Sequence, residues 1–165
     1  MPTNALRLAP VVGEFGRVRE VRYERCKPDN PNIPKGARTW NHLFQTDMKA
    51  GLGRRMAAWR IRSEEVGNHF HPRTSNKDPE VFEFLLGDVD IWFQDIYGQE
   101  LFGRIRIGLG EAPVLCTIPP YVLHSFIILS DHALFEEFQT DPFNPEDTYS
   151  AAEFELLRQK YASAR

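Results

Sequence analysis

The chain reads Gly67-Asn68-His69-Phe70-His71 and, after a loop bounded by two prolines, Glu80-Val-Phe-Glu-Phe-Leu-Leu-Gly87. Side chains alternate along a β-strand, so His69 and His71 leave the same face with Cβ atoms about 6–7 Å apart. That separation lets two imidazoles converge on one metal ion, with each nitrogen about 2.0–2.1 Å from it. This histidine pair therefore predicts a metal site on a strand.

A carboxylate from the next strand can complete such a site. Glu80 has the same parity as Phe82 and Phe84, whose large apolar side chains are expected to face a core. Glu83 has the opposite parity, so we expect Glu80 to face the site. His124 begins a later strand after Pro119-Pro120 and is the third histidine expected there. Three histidines and one carboxylate suit Zn, Fe, Ni, Mn or Cu, and the ligand types alone do not choose among them.

Short alternating stretches surround this core motif and predict an all-β fold. They lie at about 16–26, 56–62, 67–71, 81–86, 89–93, 105–107, 114–118, 124–129 and 134–139. Gly87-Asp88 is expected to be a turn between two of them. Many short strands at this spacing are typical of a sandwich or barrel. Residues 27–35 are expected to be a loop, and 37–48 remain open between strand and irregular cover.

The C-terminus has the pattern of a helix over about 150–163. Ser150 and Glu153 have capping-box spacing, and Phe154, Leu157 and Tyr161 share one face. We expect this helix to pack on the outside of a barrel whose core spans about 54–140. The 165 residues are of a size for one domain, and we expect 1–165 to be a single domain.

The amino-acid composition is that of an ordinary globular protein. The chain is 42% hydrophobic and 26% charged, with a net charge of −3, which gives no general attraction to nucleic acid. Its apolar runs are too short to span a membrane, and no secretory signal pattern is visible, so a cytoplasmic location is expected. Cys26 and Cys116 lack metal-binding spacing and are expected to be buried thiols.

The arginines Arg60 and Arg62 are two apart, so they share one face of a strand. They can form a solvated outer face, or they can bind the phosphate groups of a ligand. Both interpretations remain open at this stage.

The motifs resemble those of the cupin superfamily, which has a double-stranded β-helix or jelly-roll barrel. The family's first motif combines HxH with a glutamate and a glycine that are separated by six residues, as Glu80 and Gly87 are here. Its second motif has proline five residues before a histidine, like Pro119 and His124. Eight residues separate His71 from Glu80 where the family has three or four. In the second motif, a tyrosine and an isoleucine replace the usual glycine and asparagine.

A narrower likeness runs from about residue 60 to 149. GNHFH and the tail DPFNPEDTY (141–149) are similar to the C-terminal cupin domain of capsular-polysaccharide enzymes that process nucleotide sugars. The resemblance implies a metal-dependent epimerase of keto nucleotide sugars, with one divalent ion held by His69, His71, Glu80 and His124. It implies a general base, for which Glu137, His42 and Tyr121 are candidates, and a diphosphate contact by Arg60 or Arg62.

Each of these residues also has a structural interpretation, as a solvated rim residue (Glu137), a surface histidine (His42) or turn packing (Tyr121). Two other functions share the cupin motifs, namely a metal-dependent dioxygenase or other small-molecule enzyme, and a cupin that binds a small molecule without catalysis. The histidines can also be structural, with no metal.

A homodimer is expected from the strand that follows His124. Ile127 and Leu129 are apolar although they lie opposite the residues that face the pocket. A strand that is apolar on both faces is covered on both. The N-terminal strands, the C-terminal helix or a second subunit can supply that cover.

Overall fold

The computed structural model describes residues 13–25, 54–75, 78–139 and 147–162, and for 54–59, 138, 139 and 162 only the backbone. In this part of the chain a short 3-10 turn (Val18–Glu20) precedes nine strands and one helix. The strands are β1 (Arg22–Arg25), β2 (Arg54–Ile61), β3 (Glu65–Phe70), β4 (Glu80–Gln94), β5 (Glu100–Ile107), β6 (Val114–Ile118), β7 (Leu123–Ile128), β8 (His132–Gln139) and β9 (Tyr149–Ser150). Helix α1 (Ala151–Ala162) follows directly.

All of the strand pairs are antiparallel and form two sheets that share β4. The first sheet has the order β1-β6-β4-β8-β2, and the second has the order β5-β4-β7-β3-β9. The predicted all-β architecture with a C-terminal helix is confirmed. The single-domain boundaries stay a prediction.

Strand β4 departs from the expectation of two strands joined by a turn. It runs unbroken for 15 residues and passes from the first sheet to the second near Gly87. Gly87 has a φ of +113°, and a Cβ there would lie 2.8 Å from the Cβ of Ala133. The Gly87-Asp88 pair therefore bends one strand around the barrel instead of ending it.

Apolar side chains from both sheets fill the space between them. This core is rich in aromatic rings and aliphatic side chains from β4 to β8, including Phe82, Phe84, Ile91, Phe93, Ile105, Cys116, Phe126, Ile128 and Phe135. Cys116 is fully buried, as predicted, whereas Cys26 lies outside the described residues. Burial and the nearby charge of Glu80 both raise the pKa of the Cys116 thiol, which stays protonated.

A second apolar cluster joins α1 to the outer face of the second sheet. Phe154 and Leu157 are almost fully buried there against Phe70 of β3. The predicted capping box is present, because the Ser150 amide donates to Glu153 over 2.9 Å and the Glu153 amide donates to the Ser150 hydroxyl over 3.3 Å. Helix α1 therefore packs on the barrel exterior, as the sequence predicts.

Two expectations near the N-terminus have different outcomes. The strand predicted over 16–26 begins only at Arg22, because the chain first forms the 3-10 turn at Val18–Glu20. The segments 27–35 and 37–48, for which a loop and a strand or irregular cover were considered, lie outside the described residues.

Among the described residues, no helix has the length and apolar character needed to cross a membrane.

Candidate metal centre

A β-bulge in β3 sets the position of the first histidine. The register between β3 and β7 shifts between Gly67 and His69, so that His69 comes to lie opposite His124. Gly67 and Asn68 have φ angles of +102° and +58°. A Cβ on Gly67 would lie 2.8 Å from the carbonyl oxygen of His124, closer than side chains tolerate. The bulge thus depends on glycine and brings two imidazoles onto neighbouring strands.

The three histidine rings lie close together at one end of the barrel, which we call the mouth. Ring centroids are 4.9 Å apart for His69 and His71, 4.7 Å for His69 and His124, and 6.1 Å for His71 and His124. His71 and His124 are buried, and His69 is half-buried. The HxH spacing and the bulge together produce this arrangement.

Glu80 enters from the other sheet, where β4 begins. Its carboxylate is 1% exposed, with Oε1 3.4 Å from Nε2 of His71 and Oε2 3.0 Å from Nε2 of His124. The alternation along β4 sets Glu80 on the face of Phe82. Glu83 lies on the opposite face, where it is buried and in register with Glu136 of β8.

The four side chains fit the dimensions of a metal shell. One donor atom from each of His69, His71, Glu80 and His124 lies within 4.8 Å of all the others. With donors about 2.1 Å from an ion, neighbouring donors are about 3.0 Å apart in octahedral and about 3.4 Å apart in tetrahedral geometry. The separations of 3.4 and 3.0 Å from the Glu80 carboxylate to His71 and His124 are of this size, so the carboxylate already has the spacing to these two histidines that ligands of one ion have.

Backbone carbonyls fix the orientation of two of the rings. Nδ1 of His71 lies 2.7 Å from the carbonyl oxygen of Asp147, and Nδ1 of His124 lies 3.1 Å from that of Val122. A carbonyl oxygen only accepts, so both Nδ1 atoms carry hydrogen and donate it. In a neutral ring, Nε2 then presents its lone pair to the centre of the cluster, as metal-binding histidines do.

The pKa of Glu80 depends on its burial and on the two neighbouring histidines. Burial by itself raises the pKa of this carboxyl, because the charged form loses hydration. The nearby His71 and His124, through their charge and hydrogen bonds, outweigh that effect and hold the pKa of Glu80 well below its usual range. The site therefore keeps a buried carboxylate ionised when positive charge is close to it.

Aromatic side chains close the barrel beneath the histidines. The ring of Phe82 lies 6.3 Å from that of His124 and 5.0 Å from that of Phe126. Phe84 and Phe135 extend the layer, with centroids 5.5 Å apart. All four phenylalanines are at most 3% exposed. In the described part of the chain, this layer closes the approach to the cluster from beneath and leaves the mouth as the open side.

Of the proposed bases, Glu137 is in the most suitable place. It is half-buried and in register with Phe82, so its side chain is on the interior face of β8. Tyr121 is not brought to the cluster. Its ring is fully buried on the far side of β3, with centroids 5.0 Å from Phe15 and 6.2 Å from Phe70. His42 lies outside the described residues.

The structure does not bring Arg60 and Arg62 to the histidines. Arg60 is in register with Ala133, five residues and about 17 Å along β8 from Phe138, which pairs with β4 beside Glu80. At that end of the barrel, Arg60 bonds to Glu64 over 2.8 Å and Arg62 to Asp131 over 3.0 Å. The spacing of the two arginines indicated that they share a strand face, but it carried no information on the end of the barrel at which they lie.

Sequence reasoning missed the groups that orient the ligands. The carbonyls of Asp147 and Val122 are backbone groups, so their positions cannot be predicted from a side-chain motif. The signal for the bulge was present in Gly67-Asn68, a pair that tolerates positive φ angles.

No protein-family model and no curated protein matches the chain, but solved structures do. The sugar 3,4-ketoisomerase QdtA from Thermoanaerobacterium thermosaccharolyticum, in complex with TDP, has a TM-score of 0.52 at 13% identity, over 67% of this chain and 76% of that chain. A 3,4-ketoisomerase from Helicobacter canadensis has a TM-score of 0.52 at 14% identity, over 66% and 76%.

The capsular polysaccharide assembling protein CapF from Staphylococcus aureus also matches, with a TM-score of 0.48 at 23% identity over 59% of this chain. The match covers only 28% of that protein's length. Together with the strand topology, the matches to the two ketoisomerases confirm the predicted cupin jelly roll.

Proposed function

We propose that this cupin binds one divalent transition metal ion (Zn, Fe, Ni or Mn) and epimerises or isomerises a keto nucleotide sugar. The ion is proposed to lie between His69, His71, Glu80 and His124. The observation that carries the proposal is the convergence of these donors within 4.8 Å at the mouth. The match to sugar 3,4-ketoisomerases supports the substrate class at the level of the fold.

Charge balance favours a metal over a cluster of protonated histidines. A buried carboxylate needs compensating positive charge. Without metal, that charge must come from imidazolium rings, in which Nε2 carries hydrogen and cannot bind a metal. A divalent cation satisfies Glu80 while His71 and His124 remain neutral, the state in which their Nδ1–H bonds leave Nε2 as a ligand.

The proposed reaction is proton transfer at a carbon next to a ketone. A bound divalent ion supplies positive charge that stabilises the oxygen of such a ketone as its α-proton leaves. Glu137 on the interior face of β8 is the proposed base. It removes the proton and becomes a neutral carboxylic acid. A proton delivered to the opposite face of the same carbon inverts the configuration. A proton delivered instead to the former ketone carbon, with the neighbouring hydroxyl proton passing to the former ketone oxygen, moves the carbonyl, and neither outcome involves net oxidation.

The filled interior supports a substrate that presents only one end to the site. The phenylalanine layer under the cluster leaves no path for a long ligand into the barrel. In the proposal, the keto sugar therefore meets the cluster at the mouth, and the nucleotide lies outside. Arg60 and Arg62 have no part in this binding mode, because they occupy the other end of the barrel.

Metal analysis followed by incubation in D2O tests the proposal. Purified protein is expected to contain close to one equivalent of metal. It is expected to incorporate deuterium beside the ketone of a UDP- or dTDP-linked 4-keto-6-deoxy sugar, without a nicotinamide cofactor. Chelation is expected to slow the exchange far more than it weakens substrate binding.

Three other outcomes would each give a different function. Exchange that survives complete metal removal would make the histidines and Glu80 a metal-free acid–base system. Oxygen consumption by the metal-loaded protein without exchange would favour a dioxygenase. Binding of the sugar nucleotide with neither reaction would favour a cupin without catalysis.

We also propose that the chain forms a homodimer through the outer face of the second sheet. Phe102 is 68% exposed and Ile127 is 45% exposed on this face. Asp90 and Arg104 lie in the same cross-strand row as Ile127 and form an exposed ion pair of 3.2 Å, so that a two-fold related copy can match apolar side chains and opposite charges. Helix α1 covers a different part of the sheet, near Phe70 and Leu123.

A further inference from the structure

The rings of the two buried histidines, His71 and His124, donate hydrogen bonds to backbone carbonyls in different parts of the chain, and only one of these carbonyls lies in the C-terminal segment. The carbonyl that accepts the His124 Nδ1–H bond belongs to Val122, two residues away in the same strand connection. The carbonyl that accepts the His71 Nδ1–H bond belongs to Asp147, 76 residues further along the chain. The orientation of His71 is thus tied to a C-terminal segment that joins the second sheet only at its edge, through the two residues of β9.

Strand pairing and the helix cap hold that segment in place. Directly after Asp147, Tyr149 and Ser150 form β9 and pair with Phe70 and His69 of β3. Ser150 also belongs to the capping box that begins α1. The position of the Asp147 carbonyl therefore follows from where β9 and α1 dock.

Packing between α1 and β3 completes the connection. Phe70, which separates the two histidines in sequence, points away from the cluster and is fully buried. Its ring centroid is 5.4 Å from those of Tyr149 and Phe154, and Leu157 belongs to the same cluster. The strand that carries the histidines on one face is clamped by the C-terminal segment on the other.

We infer that residues 147–162 are a positioning element for His71, whose docking fixes this ring as the Nδ1–H tautomer with Nε2 facing Glu80. The expected effect on metal affinity rests on the proposed function. The effect on the His71 tautomer is independent of it. His124 serves as an internal reference, because its hydrogen bond does not involve the C-terminal segment.

The test compares two leucines in α1. Leu157→Ala removes a side chain that is 1% exposed, whereas Leu156→Ala makes the same change at a side chain that is 37% exposed. Long-range ¹H–¹⁵N spectra of ¹⁵N-histidine-labelled full-length protein, freed of metal by chelation and held at a pH at which the ¹⁵N shifts show neutral rings, report the tautomer of each ring. Competition with a chromogenic chelator measures Zn²⁺ affinity in the same samples.

The expected result is that Leu157→Ala shifts His71 to a mixture of tautomers and leaves His124 as Nδ1–H. Zn²⁺ affinity is expected to fall about tenfold, the size of effect found when partners of metal ligands are lost. Leu156→Ala is expected to match the wild type in both measurements. If Leu157→Ala does not fold, Ser150→Ala, which loosens the start of α1 without leaving a cavity in the cluster, replaces it with the same expectations.

Two results would overturn the inference. One is an unchanged His71 tautomer in a variant whose α1 amides exchange rapidly, which would show that undocking does not reach the ring. The other is an equal change at His71 and His124, which would show a general loosening of the barrel. A wild type that binds no Zn²⁺ but shows the selective change at His71 would refute the proposed metal function and leave the positioning role intact.

Discussion

The bulge at Gly67 allows a prediction that joins the fold to the site. Replacing Gly67 by Ala adds a Cβ at a φ of +102°, only 2.8 Å from the backbone carbonyl oxygen of His124. Gly110 provides a matched control, because it also has a positive φ, +81°, but a Cβ there meets nothing within 4 Å. The two substitutions share the conformational cost and differ in the steric one.

The magnitude follows from these two terms. A side chain held at a positive φ costs about 1–3 kcal/mol, and we expect Gly110→Ala to lose only this. Gly67→Ala must also move β3 away from β7, and overpacking of this kind costs about 1–3 kcal/mol more. Since about 1 kcal/mol shifts Tm by roughly 2–4 °C at this chain length, Gly67→Ala should melt about 2–12 °C below Gly110→Ala.

Calorimetry of chelated protein measures this difference, and chelator competition measures the effect on the site. Because the displaced carbonyl belongs to His124 itself, Gly67→Ala should also weaken Zn²⁺ binding by about tenfold, whereas Gly110→Ala should not. Equal losses of Tm in the two variants would refute the close approach of β3 and β7. A full loss of stability with unchanged Zn²⁺ affinity would refute the claim that the bulge positions the histidines.

The remaining predictions concern the ligands, the base and the interface. His71→Ala should remove most of the metal measured by mass spectrometry, whereas His132→Ala, at an exposed position at the other end of the barrel, should retain it; full metal in both would reject the assignment. Glu137→Gln should lower the deuterium-exchange rate at least a hundredfold with little change in metal content, and an unchanged rate would exclude it as the base. Wild type should sediment as a dimer at micromolar concentration and Phe102→Glu as a species near 19 kDa; Leu109→Glu, at a 95% exposed side chain, should stay dimeric, and a monomeric wild type would contradict the interface.

Local alternation was sufficient to predict most of the strands and the parity of the site. The period-two rule distinguishes Glu80 from Glu83 because both belong to one regular strand, and the structure sets them on opposite faces. The capping box at Ser150 and Glu153 was visible for a similar reason, since both of its hydrogen bonds span only three residues. These features depend on neighbours in sequence.

Features that depend on distant parts of the chain were not visible. Gly87-Asp88 has the composition of a turn, yet the approach of Ala133 makes it a bend in a continuous strand. Tyr121 has a φ of +63°, and its ring enters the cluster beneath α1. Neither environment can be derived from the residues beside them, because each is supplied by a segment at least ten residues away.

In the proposed function, the barrel strands hold the ion and the connections around the mouth select the substrate. All four proposed ligands stand at or next to strand ends, and their mutual distances follow from the register of β3, β4 and β7. The layer of phenylalanines beneath them is equally determined by register. If the proposed function is correct, groups that select a substrate are expected in the connections around the mouth, such as the loop between His71 and Glu80, which is longer than the cupin motif requires. The residues of the four-residue cluster could be predicted from strand periodicity and motif spacing because strand pairing obeys regular rules. The phosphate contact predicted for Arg60 and Arg62 rested on their spacing, which defines a strand face, and the register of β2 with β8 puts this pair at the other end of the barrel.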